Sequence, residues 1–331
     1  KKDINLKPFF SLKKDIVGQD FKSKIDKVSN YLKVKNFDFI FISAPENVAW
    51  LLNIRGNDNP NSPLPNCHLL LDNKKNFYLF ADRKKTRALI KEKKINKSQI
   101  IDFENFELFI NNFKEGRVLI DKKTCSVFNE NILRQKLRVI KGDDPIYMLK
   151  AIKNSKELSN MINAHIIDGI AITKFLYWIK NINKKEISEF EAQNKLEKFR
   201  KKNKNYLYPS FNTIAGTGSN GAIIHYRATK ENTKKIKKKD IFLCDSGGQY
   251  KFGTTDITRT ICFSKPKKLI KEIFTRVLKG HIAVANINLN KFNTGRLIDK
   301  KARKFLKSIK LDYDHGTGHG VGFFSNVHEG P

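Results

Sequence analysis

Several features that would assign a chain to a membrane or an exported class are missing from this 331-residue sequence. It has no apolar run near the roughly 18 residues that a membrane-spanning helix requires. The first residues, KKDINLKPFFSLKKD, lack the apolar stretch and cleavage site of a signal peptide. The four cysteines are scattered without a CxxC pair, which favours buried reduced thiols over a disulfide framework. We therefore expect a soluble, cytoplasmic protein with no membrane partner.

Acidic residues are also in short supply. The 33 Asp and Glu residues face 65 Lys and Arg residues, which gives a formal net charge of +32. A nucleic-acid surface favours clustered arginine with interleaved aromatic residues, whereas 53 of these basic residues are lysines spread along the chain. The densest basic run, KKIKKK at 234–239, precedes an apolar segment and predicts an exposed loop. We attribute the charge to biased composition and expect no specific nucleic-acid partner.

Hydrophobic periodicity predicts an α/β domain in the first part of the chain. Residues 18–35 carry a helical apolar stripe, and the run FDFIFIS at 37–43 is typical of a buried strand. The apolar runs 67–72 and 76–82 are separated by three polar residues and predict a hairpin. We expect an α/β domain over 18–145, preceded at 1–17 by a linker, and the start without Met indicates that an upstream part is missing.

The second part, residues 146–331, shows a different order of elements. A long amphipathic pattern begins at Ser155, with Glu157 placed to complete an N-terminal cap. Beyond the second helix, the sequence changes to short apolar runs with glycine-rich turns, and helical patterns then return. This order predicts an α+β domain with a curved sheet. The expected helices cover 155–181, 186–202, 267–287 and 294–308.

Two aspartates and a group of histidines stand out in this second domain. Asp245 and Asp256 lie 11 residues apart at the ends of two strand-like runs, so a hairpin would bring them together. Paired carboxylates repel each other unless they share a proton or bind cations. His315, His319 and His328 fall within one glycine-rich stretch, although the whole chain has seven histidines. Such a group indicates metal ligands or acid–base catalysts, and its Asp and His donors suit Mn²⁺, Co²⁺ or Zn²⁺.

Three strings of the second domain carry a family resemblance. SNGAIIHY, DSGGQYKFGTTDITRT and HGTGHGVGFFSNVHEGP closely resemble Xaa-Pro aminopeptidases of the creatinase, prolidase and methionine-aminopeptidase superfamily. The earlier stretch NVAWLLNIRGNDNPNSPLPNCHLLLD resembles the second, creatinase-like domain of the three-domain form. The resemblance implies an α/β middle domain, creatinase N-terminal-like, followed by an α+β pita-bread metallopeptidase domain.

The resemblance also implies an activity and a site. The activity is hydrolysis of the N-terminal Xaa-Pro bond of proline-containing peptides by a homodimeric enzyme. It would use two divalent ions, typically manganese with cobalt or zinc as alternatives, bridged by a water or hydroxide. The implied metal ligands are Asp245, Asp256 and His319, with Asp256 bridging both ions. The implied catalytic residues, which position the peptide carbonyl and relay protons, are His225, His315 and His328.

Two departures from the family pattern qualify this assignment. The family has two further glutamate ligands on later strands, and the two glutamates after Asp256, Glu272 and Glu329, match neither position. We therefore expect an internal fragment of a longer enzyme, with its pita-bread domain truncated at the C-terminus and no activity on its own. The segment Arg227–Lys230 also departs from the family pattern and is expected to alter the rim of the substrate cleft.

Three alternative functions remain open at this point. Prolidase, an Xaa-Pro dipeptidase, is a close rival, but the HGTGHGVG…NVHEGP string and the middle domain that contains Trp50 favour the aminopeptidase. A non-catalytic binding module on the same fold is supported only by the net charge, and such a module is expected to lose the metal residues. Creatinase works without a metal and is disfavoured because Asp245, Asp256 and His319 are all present.

Overall fold

A computed structural model of the protein describes residues 7–181 and 187–330. The chain forms two compact units. The first runs up to Ile166 and includes Gln249–Thr255 and Gly322–Val327, whereas the second contains the remaining segments, which begin at Ile167. Within the described ranges, no helix combines the length and the apolar character that a membrane crossing requires.

The described strands are short and lie in both units. They are β1 (Phe10–Ser11), β2 (Phe39–Ile42), β3 (Ile54–Arg55), β4 (His68–Asp72), β5 (Phe77–Phe80), β6 (Ile100–Ile101), β7 (Arg117–Asp121), β8 (Arg138–Gly142), β9 (Tyr206–Pro209), β10 (Ile214–Thr217), β11 (Ile241–Ser246), β12 (Gly248–Tyr250), β13 (Gly253–Thr254) and β14 (Ile257–Cys262). The described α-helices are α1 (Lys14–Val17), α2 (Phe21–Val34), α3 (Pro45–Leu51), α4 (Arg83–Lys91), α5 (Phe106–Asn111), α6 (Val127–Arg134), α7 (Ile146–Ala151), α8 (Ser155–Asn181), α9 (Glu189–Arg200), α10 (Lys268–Ala285) and α11 (Gly295–Lys307).

A six-stranded mixed sheet with the order β6-β5-β4-β2-β7-β8 forms the centre of the first unit. Strand β2 is parallel to β7 and antiparallel to β4. Ile40 and Ile42 of β2 join one hydrophobic cluster, and Phe41 between them joins another. Because both faces of the strand are buried, its sequence is continuously apolar rather than alternating.

The predicted hairpin in this sheet is confirmed. Strands β4 and β5 pair antiparallel from Leu71 opposite Phe77 outward. Asp72 closes the connecting turn, because its Oδ1 accepts hydrogen bonds from the backbone N–H groups of Lys74 and Asn76 at 2.8 and 2.7 Å. An aspartate that bonds the backbone two residues ahead is a common way to build such a turn.

The second unit contains an antiparallel sheet of β10, β11 and β14, with β11 in the middle. Its hydrophobic cluster joins Phe175 of α8 and Leu196 of α9 to Phe242 and Cys244 of β11. The predicted helices over 155–181, 267–287 and 294–308 are confirmed to within three residues at each end. Of the helix expected over 186–202, the described part is α9, and residue 186 lies outside the described residues.

Three smaller expectations have mixed outcomes. The cap of α8 is Asn154 rather than Ser155, because the Asn154 Oδ1 accepts from the N–H groups of the two residues that follow Ser155. All four thiols are free, but Cys125 and Cys262 are partly exposed, so burial was expected wrongly for these two. The basic tract at 234–239 lies outside helices and strands and is largely exposed, as predicted.

A buried ion pair in the second unit gives a stability prediction. The Arg200 guanidinium donates to both carboxylate oxygens of Asp168 at 2.7 and 3.1 Å, and both side chains are fully buried. Asp168→Asn leaves the buried positive charge uncompensated, so we expect a loss of about 3–5 kcal/mol in the free energy of unfolding. Lys201→Ala is the control: it removes an exposed partner of Glu197 and should change the free energy of unfolding by less than about 0.5 kcal/mol. Urea titration followed by far-UV circular dichroism measures both, and equal midpoints would contradict the prediction.

Candidate metal centre

The pairing of β11 with β14 places the two predicted aspartates on one face of the sheet. Asp245 lies opposite Thr258, and Asp256 directly precedes the strand that contains Thr258. Because side chains alternate along a strand, residues 256 and 258 point the same way, and Asp256 becomes a diagonal neighbour of Asp245. The Thr258 hydroxyl donates to Asp245 Oδ1 at 2.8 Å and holds that carboxylate against the strand. The predicted pairing of the two strand ends is confirmed, and the meeting of the two carboxylates stays a prediction.

His319 faces Asp256 directly. Its Nε2 lies 3.3 Å from Asp256 Oδ2. Its other ring nitrogen, Nδ1, lies 2.7 Å from the carbonyl oxygen of Gly320. Since a carbonyl can only accept, Nδ1 carries a proton, and Nε2 is the nitrogen left to face the carboxylate or to bind an ion. Metal-bound histidines commonly show this arrangement, with the second nitrogen donating to a backbone carbonyl.

The backbone brings His328 beside His319. Gly320 and Glu329 form an antiparallel bridge in which the Glu329 N–H donates to the Gly320 carbonyl at 2.9 Å. A Cβ atom at Gly320 would lie 2.9 Å from the Glu329 carbonyl oxygen, so glycine is needed for this close approach. The two imidazole rings consequently meet edge to face, with centroids 4.2 Å apart.

Neighbouring groups of the site shift the pKa of His328. Partial desolvation of its ring lowers the pKa of His328, and the positive charges of His319 and His225 lower that pKa further. The Asp245 carboxylate acts in the opposite direction and raises it. His225 itself is exposed and adopts a positive φ of 56°, which is uncommon for a residue other than glycine.

The structure places His315 apart from this group. Its ring stacks on Tyr313 with centroids 4.7 Å apart, and its Nδ1 lies 2.8 Å from the Gly316 carbonyl oxygen. These two contacts of the His315 ring do not join it to Asp256 or His319. Its predicted catalytic role stays a prediction.

The donor set has the chemistry of a metal site, although it is not closely gathered. In the described part of the chain, no group of three or more His, Cys, Asp or Glu side chains is close enough to hold an ion. Two ligand atoms that are each about 2.0–2.2 Å from one ion lie roughly 3 Å apart. The separation between His319 and Asp256 fits that value, and Asp245 lies on the same face of the sheet. The residues therefore fit a divalent ion, while the complete ligand set stays a prediction.

Sequence reasoning missed the residues that hold the histidine loop. Arg303 of α11 donates to the His315 carbonyl oxygen at 2.7 Å and to Asp312 at 2.9 Å. Asp299, one helical turn earlier, receives hydrogen bonds from Arg303 and Thr317, which hold the pKa of this carboxyl below its usual range. An Asp and an Arg four residues apart on a helix are a common surface pair, so the sequence offered no signal of this role.

Comparison with known proteins assigns the fold to a family. The sequence profile described as metallopeptidase family M24 matches residues 159–331, and that of the creatinase/prolidase N-terminal domain matches residues 1–157. The chain belongs to metallopeptidase family M24. The predicted fold, a creatinase N-terminal-like α/β domain followed by a pita-bread domain, is thereby confirmed.

Relatives in the M24 family have closely related sequences and structures. The chain is 40% identical over 329 residues to the Xaa-Pro aminopeptidase ApepP of Drosophila melanogaster, covering 97% of this chain and 53% of that protein. A crystal structure of X-prolyl aminopeptidase from Caenorhabditis elegans matches with a TM-score of 0.87 and 30% identity, over 98% of this chain and 55% of that one. Prolidase from Pyrococcus furiosus matches with a TM-score of 0.70 and 25% identity, over 92% and 85% respectively. The chain spans about half the length of the curated relatives it matches.

The surroundings of His328 give a test of the site in metal-free protein. His319→Ala removes a neighbouring positive charge and should raise the pKa of His328 towards its usual range. Asp245→Asn removes a negative charge and should lower that pKa further. NMR titration of the His328 ring in the presence of EDTA measures both shifts. His281→Ala, on α10, serves as the control, and shifts of the same sign in the two site variants would contradict the geometry.

Proposed function

We propose that the protein is a metal-dependent Xaa-Pro aminopeptidase, which removes the N-terminal residue that precedes a proline in a peptide. The observation that carries the proposal is the pairing of His319 Nε2 with Asp256 Oδ2 at 3.3 Å, on the strand pair that also holds Asp245. The relatives with 40% and 30% identity are named as aminopeptidases of this specificity, which supports the same substrate class here. Proline-containing peptides would be the substrates.

Two divalent ions are the proposed cofactors. The Caenorhabditis elegans relative is described as having a di-nuclear active site. In this chain, Asp245, Asp256 and His319 would hold the ions, and their oxygen and imidazole donors suit manganese, with cobalt or zinc as alternatives. When bound, such ions lower the pKa of a water molecule and polarise the scissile carbonyl.

The histidines near these ligands would handle the substrate and its protons. The pKa of His328 lies below its usual value, so its ring is neutral near pH 7 and carries one N–H and one bare nitrogen. The N–H can donate to the peptide carbonyl oxygen, and the bare nitrogen can accept a proton. His225 is exposed, and its positive charge lowers the pKa of His328. We therefore propose His225 as a second donor to the same oxygen.

Prolidase activity is the alternative that the Pyrococcus furiosus match favours, although at lower identity. The two activities differ in the substrate beyond proline, so an Xaa-Pro-Pro tripeptide and an Xaa-Pro dipeptide separate them. We also propose a cytoplasmic location, supported by the description of the Caenorhabditis elegans relative as cytosolic. The homodimer stays a prediction from the resemblance.

Asp256→Asn tests the proposed site. The amide cannot supply the negative charge that offsets the repulsion between two nearby dications, so we expect turnover of an Xaa-Pro-Pro peptide to fall at least about 1,000-fold. Isothermal titration with Mn²⁺ should show the loss of at least one bound ion per chain. The assay uses the full-length protein.

Glu272→Gln on α10 is the matched control. It makes the same carboxylate-to-amide change at an exposed side chain that pairs with Arg276. We expect normal turnover and normal Mn²⁺ stoichiometry in this variant. Near-normal turnover with an unchanged metal count in Asp256→Asn would refute the assigned site.

A further inference from the structure

A fully buried carboxylate, Glu189, lies at the first residue of α9 and plays no part in the proposed metal site. Burying a charged group is costly unless it is fully hydrogen-bonded. Its two oxygens accept from four residues, at 2.7 Å from the Thr217 N–H, 3.0 and 3.1 Å from the Asn220 amide, 2.7 Å from the Tyr226 hydroxyl and 2.8 Å from the Lys234 N–H. Each of these partners is a donor.

All four partners belong to one stretch of chain, residues 217–234. The stretch starts at the end of β10 and contains His225, and Glu189 bonds both of its ends and its middle. Tyr226 is buried and packs with Ile214 and Ala228, whereas its neighbour His225 is exposed. The anchored tyrosine thus fixes the turn from which the His225 ring projects.

The backbone at His225 shows why this anchor is needed. Its φ of 56° is unfavourable for a residue with a side chain, and such a conformation persists only where surrounding contacts enforce it. The hydrogen bond from the adjacent Tyr226 to Glu189 supplies one such contact.

We propose that Glu189 is a positioning residue for His225, because its carboxylate holds residues 217–234 in the turn that presents this imidazole. This role rests on the proposed peptidase function for its catalytic consequence. The effect of Glu189 on the conformation of residues 217–234 does not depend on that function and can be measured without substrate.

Glu189→Gln is the informative variant, because it keeps the side-chain size and replaces one acceptor oxygen with a donor NH₂ group. The groups that donated to the replaced oxygen of Glu189 then lose their acceptor. Glu191→Gln is the matched control: Glu191 lies two residues further along α9, and its carboxylate bonds Ser188 instead of the 217–234 stretch. Tyr226→Phe removes one hydrogen bond and keeps the buried ring, so it serves if Glu189→Gln does not fold.

Hydrogen exchange followed by mass spectrometry measures how strongly Glu189 stabilises the conformation of residues 217–234. In Glu189→Gln we expect amide exchange within 217–234 to accelerate by about 10-fold or more, with exchange in β11 unchanged. In Glu191→Gln both regions should exchange at the wild-type rate. Unchanged exchange in 217–234, or equal acceleration throughout the second unit, would overturn the proposal.

A double-mutant cycle in the full-length enzyme with Mn²⁺ then tests whether Glu189 affects turnover by positioning His225. We expect His225→Ala and Glu189→Gln each to lower kcat for an Xaa-Pro-Pro peptide by about 100-fold, and the double variant to be no more than about 2-fold below His225→Ala. Losses that multiply would show a general structural role and overturn the proposal. If the wild-type enzyme cleaves no Xaa-Pro peptide, the proposed function fails, and the exchange experiment alone decides whether Glu189 holds the segment.

Discussion

A histidine nitrogen and two carboxylates that lie on one side of a sheet attract positive charge, and the proposed metal site depends on this constraint. Because the Gly320 carbonyl accepts from His319 Nδ1, Nε2 is the ring nitrogen that faces Asp256 Oδ2, at 3.3 Å. Either a second proton on the ring or a cation relieves that contact. The nearby Asp245 carboxylate adds negative charge on the same face of the sheet, which favours a divalent cation over a single proton.

Backbone pairing sets the position of each of these groups. The antiparallel register of β11 and β14 fixes Asp245 and Asp256 as diagonal neighbours, and the bridge between Gly320 and Glu329 sets His328 beside His319. Each device places a charged or polar side chain with main-chain hydrogen bonds, which do not depend on a bound ion. The buried contacts of Glu189 extend the same principle to the segment that contains His225.

The sequence predicted those parts of the fold and site that depend on local pattern. The apolar stripe of α8 gave the position of this helix closely, since periodicity decides the type of an element. The site histidines His319 and His328 were also indicated, because a cluster of rare histidines is visible without a structure. Asp256 was indicated by its position at the end of a strand-like run, 11 residues after Asp245. The roles of Glu189 and Arg303 could not be predicted, because Lys234 lies 45 residues from Glu189 and His315 lies 12 residues from Arg303, and only folding brings these partners together. The position of His315 beside Tyr313 depends on loop geometry in the same way.

The location of bound metal tests the central claim most directly. Crystals of the full-length protein grown with Mn²⁺, with diffraction data collected at the manganese absorption edge, would locate each ion by its anomalous signal. We predict an anomalous peak bonded to both Asp256 and His319 Nε2, with Asp245 as a further ligand. No peak at this position, with His319 and Asp256 instead joined by a direct hydrogen bond in the presence of Mn²⁺, would contradict it.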